Sequence, residues 1–183
     1  MTKMNKKMEV IKHIIEVIKE PALAVLVAMA LIPSFIISNT KVPTESMMPA
    51  IDPGDHLIVS RLPYYYRDPV RGEVVVFKYN NDFLIKRIIG VPGDEIDIRD
   101  NRVYINHTPL DETAYLADGI KTYLYTGSKI DFPYIIPNNY YFVMGDNRLN
   151  SKDSRVFGAI TRDSIIAKAG YRIFPFNEIG EIE

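Results

Sequence analysis

One serine of this 183-residue chain lies where it could act as a nucleophile. Ser46 belongs to the stretch VPTESMMPAI, which follows the chain's one long apolar run. A serine hydroxyl is a weak nucleophile until a neighbouring base takes its proton. The chain has 3 histidines, none with an obvious partner, and no cysteine. The base for Ser46 must therefore be another residue type, or Ser46 is only a turn residue.

The candidate base is a lysine inside an apolar strand. The stretch DFLIKRIIGVPGD places Lys86 and Arg87 on opposite faces of a predicted strand, with apolar neighbours on both faces. Burial disfavours an ammonium ion, and a lowering of the pKa by roughly two units from ~10.4 would make Lys86 a base near pH 8. Arg87 cannot lose its proton, so it needs a carboxylate partner. The alternative is that Lys86 extends from a sheet edge into solvent.

A polar loop is the third feature that could take part in the chemistry of a site. The stretch GDNRLNSKDSRVFG, residues 145–158, concentrates short hydrogen-bonding side chains after a predicted strand. Such a loop is either a solvated surface loop or one folded beneath a site. In the second case it would pair buried cations and orient a lysine amine.

The elements that must position these residues are short strands separated by turn sequences. After Val42, stretches such as DPGD, YNND, VPGD and RDNR interrupt the apolar segments. This spacing predicts a mainly β fold, an antiparallel β-sheet catalytic domain. Residues 107–138 are polar and weakly patterned, and we interpret them as a small insertion between two parts of one sheet system. The predicted strands are His56–Ser60, Glu73–Tyr79, Phe83–Gly90, Glu95–Arg99, Arg102–Ile105, Tyr140–Gly145 and Ile165–Phe174.

The N-terminal region predicts a membrane anchor. Residues 1–21 contain an amphipathic, lysine-bearing segment, and the run that follows, to residue 38, has no charge. We interpret residues 22–39 as an N-terminal transmembrane helix, in preference to a cleaved signal peptide or a buried core helix. The preceding lysines favour a cytoplasmic N-terminus. Residues 40–183 would then form an extracytoplasmic β-rich domain.

Charge and composition exclude several classes of function. The formal net charge is −1, so the chain has no general attraction for nucleic acid. The lack of cysteine excludes disulfides, thiolate metal sites and cysteine nucleophiles. No metal and no cofactor are implied.

Taken together and in this order, the motifs resemble those of the bacterial type I signal peptidases. ESMMPAI is similar to that family's nucleophile segment, FLIKRIIGVPGD to its lysine segment and GDNRLNSKDSR to its third signature. RGEVVVF is similar to the strand motif between the first two. The resemblance covers nearly all of residues 1–175, including the N-terminal anchor.

The resemblance implies a role for each matching residue. Ser46 would be the nucleophile and Lys86 the general base. The Ser46 backbone N–H and the Thr44 hydroxyl would hold the oxyanion, and the Ser151 hydroxyl would hydrogen-bond the lysine amine. Arg87, with Asp146 as its candidate partner, Asp153 and Arg155 would support the site. The substrate would lie between two segments that contain Val42, Pro43, Met47, Phe83, Leu84 and Ile85.

The implied function is a membrane-anchored serine endopeptidase that cleaves signal peptides from exported preproteins by a Ser–Lys dyad. Its partners would be those preproteins and the lipid bilayer. A self-cleaving repressor-type protease would need a DNA-binding module, which residues 1–40 do not offer. The alternative from another class is a non-cleaving, membrane-anchored assembly factor of the same fold.

Overall fold

The chain forms two compact units, Met1–Ile37 and Ser38–Glu183. In the first unit residues 16–23 and 25–27 are helical. Within the described part of the chain, no helix is both long enough and apolar enough to cross a bilayer. Most of the predicted anchor lies outside the described residues, and its last three residues belong to a strand. The computed structural model describes residues 13, 16–23, 25–27, 37–117, 119–125 and 127–182.

The second unit is mainly β. Among its described residues, two short helices, α1 (Pro63–Tyr66) and α2 (Ser154–Phe157), accompany the strands. Three single turns of 3₁₀ helix lie at Glu45–Met47, Arg162–Ser164 and Phe176–Glu178. The strands are β1 (Ile37–Lys41), β2 (His56–Ser60), β3 (Val74–Tyr79), β4 (Asp82–Gly90), β5 (Glu95–Arg99), β6 (Arg102–Ile105), β7 (Thr108–Pro109), β8 (Tyr134–Ile135), β9 (Tyr140–Met144), β10 (Ile160–Thr161), β11 (Ile165–Phe174) and β12 (Gly180–Glu181).

The strands form two sheets. The larger has eight strands in the order β1-β2-β11-β3-β4-β9-β10, with β12 paired to β11. β3 and β4 form an antiparallel hairpin in which Val75 lies opposite Lys86. β4 also pairs with β9, so it is an inner strand. The smaller sheet has four strands in the order β7-β6-β5-β8.

Hydrophobic burial explains why these segments become strands. In β2 and β5 every second residue is buried, the alternation expected of strands with one face on a core. β4 ends in five consecutive buried residues because both of its faces are covered. A cluster around Ile89, Ile96 and Phe142 joins β4 and β9 to the smaller sheet. Lys86 is thus part of the inner strand β4, and the polar loop follows the inner strand β9, so the core holds both in place.

Most of the predicted architecture is confirmed, with one correction. Each of the seven predicted strands is present, with ends that differ by at most one residue. The β5–β6 hairpin turns at Asp100 and Asn101, whose φ values of 51° and 61° suit these residue types. The expectation of one sheet system was wrong, because β5 and β6 leave the larger sheet and pair with β7 and β8 from within residues 107–138.

Candidate active site

Ser46 lies in the 3₁₀ turn Glu45–Met47, directly after an extended Thr44. Met47 is fully buried in the core cluster that contains Val42. Ser46 itself is only half-buried. The buried neighbour anchors the turn, and the hydroxyl remains open to a substrate.

Lys86 reaches this turn from β4. Its Nζ lies 2.6 Å from Ser46 Oγ and 2.8 Å from the carbonyl oxygen of Ile85. The residue is only 3% exposed, so the alternative of a lysine extending from a sheet edge is wrong. Burial lowers the pKa of Lys86 to about 8, although nearby Asp153 and Asp146 act in the opposite direction. A large fraction of this amine is therefore neutral near pH 8 and able to accept a proton.

Two buried arginines beside this lysine each have a carboxylate of their own. Arg87 donates from Nε and Nη2 to Asp146, over 2.9 and 2.7 Å. Arg155 binds Asp153 in the same two-bond geometry, over 2.9 and 2.7 Å. All four residues are at most 1% exposed. Such bidentate pairs combine charge compensation with a fixed orientation.

A third buried arginine is paired by the insertion. Arg148 donates to both carboxylate oxygens of Glu112, over 2.5 and 3.0 Å, and to the hydroxyl of Thr122 over 2.8 Å. Its Nε donates to the carbonyl of Gly145 over 3.1 Å. Residues 107–138 thus help to build the site. Sequence reasoning missed Glu112 and Thr122, because nothing local in a polar segment indicates a distant partner.

The polar loop also holds the serine turn directly. The backbone N–H of Asn147 donates to the Ser46 carbonyl over 3.1 Å, and its side-chain amide donates to the Glu45 carbonyl over 3.1 Å. Asn150 donates to the Glu45 carboxylate over 3.3 Å. The interpretation of residues 145–158 as a plain surface loop is therefore wrong. Asn147 is a positioning residue that the sequence motif contained but did not single out.

Gly145 and Ser151 lie where the loop approaches the serine turn most closely. A Cβ atom at Gly145 would lie too close to both Ser151 Oγ and the Ser46 carbonyl oxygen for any non-bonded contact. Ser151 is buried, and its hydroxyl makes no hydrogen bond with the described residues. The expected bond from Ser151 to the lysine amine is therefore not formed in this structure. The amine instead uses Ser46 and the Ile85 carbonyl as its partners.

Thr44 is exposed beside the candidate nucleophile. Its Oγ1 lies 3.3 Å from Ser46 Oγ, and either hydroxyl can be the donor. The Thr44 hydroxyl is therefore within reach of an oxygen bound near Ser46.

A cavity of about 170 Å³ opens beside Ser46 and Lys86. Its walls come from two sides, residues 40–47 and residues 83–86, and Val76 completes them. Val42 and Met47 contribute to the core as well as to this wall. Every residue predicted to contact the substrate lines this cavity, namely Val42, Pro43, Met47, Phe83, Leu84 and Ile85.

The residues that the structure describes contain no candidate metal-binding site. No group of three or more histidine, aspartate or glutamate side chains there could hold a metal ion. The carboxylates of Asp146, Glu112 and Asp153 are instead bound to arginines.

Comparison with known proteins places the chain in a family. A family model described as "signal peptidase, peptidase S26" matches residues 14–174. Signal peptidase I of Leptolyngbya laminosa is 34% identical over 182 residues, covering 92% of this chain and 84% of that protein. Signal peptidase IB of Staphylococcus aureus is 36% identical over 179 residues, covering 91% of this chain and 93% of that protein. A crystal structure of a signal peptidase I from Enterococcus faecalis shares 30% identity at a TM-score of 0.46, covering 56% of this chain and 97% of that one.

These matches identify the chain as a serine peptidase, a hydrolase. It belongs to the signal peptidase family, peptidase S26, whose model spans well over half of its length.

Proposed function

We propose that the protein is a membrane-anchored endopeptidase that removes signal peptides from exported preproteins by a Ser46–Lys86 dyad. The observation that carries the proposal is the 2.6 Å contact between Ser46 Oγ and the buried Lys86 amine. Each buried arginine near the site has its own carboxylate, whereas Lys86 forms no ion pair with the described residues. A buried amine without a carboxylate partner favours its neutral form, the form that a general base requires.

The proposed reaction begins when neutral Lys86 takes the Ser46 proton and Ser46 Oγ attacks the scissile carbonyl carbon. The Ser46 backbone N–H and the Thr44 hydroxyl stabilise the resulting oxyanion. The intermediate collapses to an acyl-enzyme, and protonated Lys86 gives its proton to the departing amine. Lys86, neutral again, then activates the water that releases the acyl group. Arg87, Asp146, Asp153 and Arg155 support this geometry.

The 170 Å³ cavity is the proposed site for the residues before the cleaved bond. An extended substrate would lie between residues 42–47 and 83–86 and pair with their backbones as an added strand. The space is small and several of its walls belong to the core. It therefore favours alanine-sized side chains over large ones.

The membrane anchor is a further part of the proposal. The uncharged run at residues 22–38 and the lysines before it support a single span that begins at residue 22 and ends before β1, with residues 1–21 cytoplasmic and 40–183 extracytoplasmic. An anchored site meets its substrate where signal peptides leave the bilayer.

Cleavage of a purified preprotein tests the catalytic proposal. Wild-type protein should release the mature chain, identified by its mass and N-terminal sequence, and Ser46→Ala should not. Ser60→Ala is the matched control, because Ser60 lies on β2 and does not line the cavity. Binding of the preprotein without cleavage by the wild type would favour the assembly-factor alternative.

Protease treatment of intact protoplasts tests the topology separately. Protease added outside should digest the domain after residue 40. Full protection would reverse the proposed orientation, and release of the protein by alkaline carbonate would exclude a spanning helix.

A further inference from the structure

A second, larger cavity borders the segment that follows the serine turn. It measures about 560 Å³, a volume typical of binding sites for small molecules and peptides. Met48 and Pro49, which follow Ser46 in the chain, form one wall, and residues 146–149 form another. The smaller cavity is lined instead by residues 40–47. The two cavities therefore flank Ser46 along its own segment.

The far wall of this cavity is fixed rather than loose. It consists of residues 119–121 and Tyr123. Arg148 binds the hydroxyl of Thr122 between them, and Arg155 donates to the Tyr123 carbonyl over 3.3 Å. Arg148 also binds the Gly145 carbonyl in the loop beneath Ser46. Arg148 and Arg155 therefore fix the position of the cavity wall relative to the polar loop.

The cavity presents apolar side chains to solvent from both the far wall and residues 146–149. Ile120, Tyr123 and Leu149 are all exposed, Leu149 to 69%. The charged residues of the lining are Lys121, Asp146 and Arg148, and the last two are buried in ion pairs with Arg87 and Glu112. Exposed apolar side chains that share one cavity lining are a feature of ligand sites rather than of ordinary surface.

We propose that this cavity binds the residues that follow the cleaved bond, with a large apolar side chain against Ile120, Tyr123 and Leu149. The inference rests on the proposed function, since a peptide cut at Ser46 must leave that residue in both directions. The smaller cavity holds the residues before the cleaved bond, which become the acyl group of the acyl-enzyme. The 560 Å³ cavity borders Met48, the residue directly after the serine turn, and holds the residues after the cleaved bond.

Four pairs of substrates test this assignment. Each carries the same signal region, and leucine or glycine stands in turn at each of the first four positions after the cleaved bond. For at least one position the wild type should cleave the leucine substrate about tenfold faster in kcat/KM than the glycine substrate. The ratio should fall towards one in Ile120→Ser and Leu149→Ser. Leu124→Ser is the matched control and should keep the wild-type ratio, because Leu124 is an exposed leucine of the same segment that does not line the cavity.

The outcomes separate this inference from the proposed function. A ratio near one at all four positions in the wild type, or a ratio unchanged by Ile120→Ser, overturns the cavity assignment while cleavage itself stands. Absence of cleavage of every substrate by the wild type overturns the proposed function. In that case, binding of the leucine and glycine substrates to Ser46→Ala tests the cavity assignment without any cleavage. Tighter binding of the leucine substrate, lost in the Ser46→Ala/Ile120→Ser double variant, supports the cavity assignment, and equal binding of both substrates overturns it.

Discussion

Two neighbouring regions of the sheet domain bury cations in opposite ways. In the polar loop and α2, Arg148 and Arg155 each lie against a carboxylate, as does Arg87 on β4. One residue before Arg87 along the same strand, Lys86 is buried against a hydroxyl and a carbonyl instead. Burial with a carboxylate fixes a charge and a geometry. Burial without one changes the proton affinity of the group. The paired region thus stabilises the fold, and the unpaired lysine is the proposed base.

The largest expected effect is on catalysis at Lys86. Lys86→Arg keeps a positive charge but cannot supply a base, because guanidinium remains protonated at any working pH. We expect it to lose about 10³-fold or more in kcat/KM, as Ser46→Ala does, while circular dichroism shows a folded protein. The losses should not add in the double variant, because the two residues act as one unit. Substantial cleavage by Lys86→Arg would refute the dyad.

Removal of a carboxylate from the paired region should lower the free energy of unfolding. Asp153→Asn leaves Arg155 buried without its carboxylate, and such a change costs about 3–5 kcal/mol in the free energy of unfolding. Urea denaturation monitored by fluorescence measures this loss. Asp131→Asn is the control, since Asp131 is exposed and surface changes usually stay within about 0.5 kcal/mol. An Asp153→Asn protein as stable as the wild type would show that the pair is not required.

Replacement of Lys86 should change the free energy of unfolding in the opposite direction. The folded state holds the Lys86 proton more weakly than the unfolded state, because its pKa falls from ~10.4 to about 8. Below pH 8 the protein therefore loses stability by burying this cation. We expect Lys86→Met, which is of similar size and uncharged, to gain about 1–3 kcal/mol at pH 7 in the same denaturation experiment. A loss of stability would indicate that the lysine is satisfied like the arginines.

The smallest effect concerns pH. Only neutral Lys86 accepts the Ser46 proton, so kcat/KM should rise as the pH passes about 8 and level off above it. One pH unit below that value, activity should be about a tenth of the plateau. The rates of a peptide substrate from pH 6 to 10 give this profile, with folding checked at each pH. A profile that is flat from pH 6 upwards would exclude a lysine with this pKa as the base.

Local pattern was sufficient for the long strands and insufficient for the contacts between distant segments. The alternation in β2 and β5 and the apolar run of β4 identify strands because burial imposes their period. β7, β8, β10 and β12 have two residues each, too few to show any period.

The residues of the candidate site also fall into those that local sequence could identify and those that only distant contacts bring in. Ser46, Lys86 and the polar loop were recognisable from their residue types. The need for a carboxylate beside Arg87 followed from its guanidinium, and the family resemblance indicated Asp146 as that partner. Glu112 reaches Arg148 from the insertion, across 36 positions of sequence. Only the folded chain reveals that contact, because sequence spacing carries no signal for it.

Gly145 has a consequence for genetics. Every single-nucleotide change of a glycine codon that replaces the amino acid adds a Cβ atom, and a Cβ at this position collides with Ser151 and with the Ser46 backbone. No amino-acid substitution at this position can leave the serine turn undisturbed. A relative that had given up cleavage would be free of this restriction. Codon 145 therefore gives a way to separate candidate peptidases from inactive relatives in genome sequences before any protein is made.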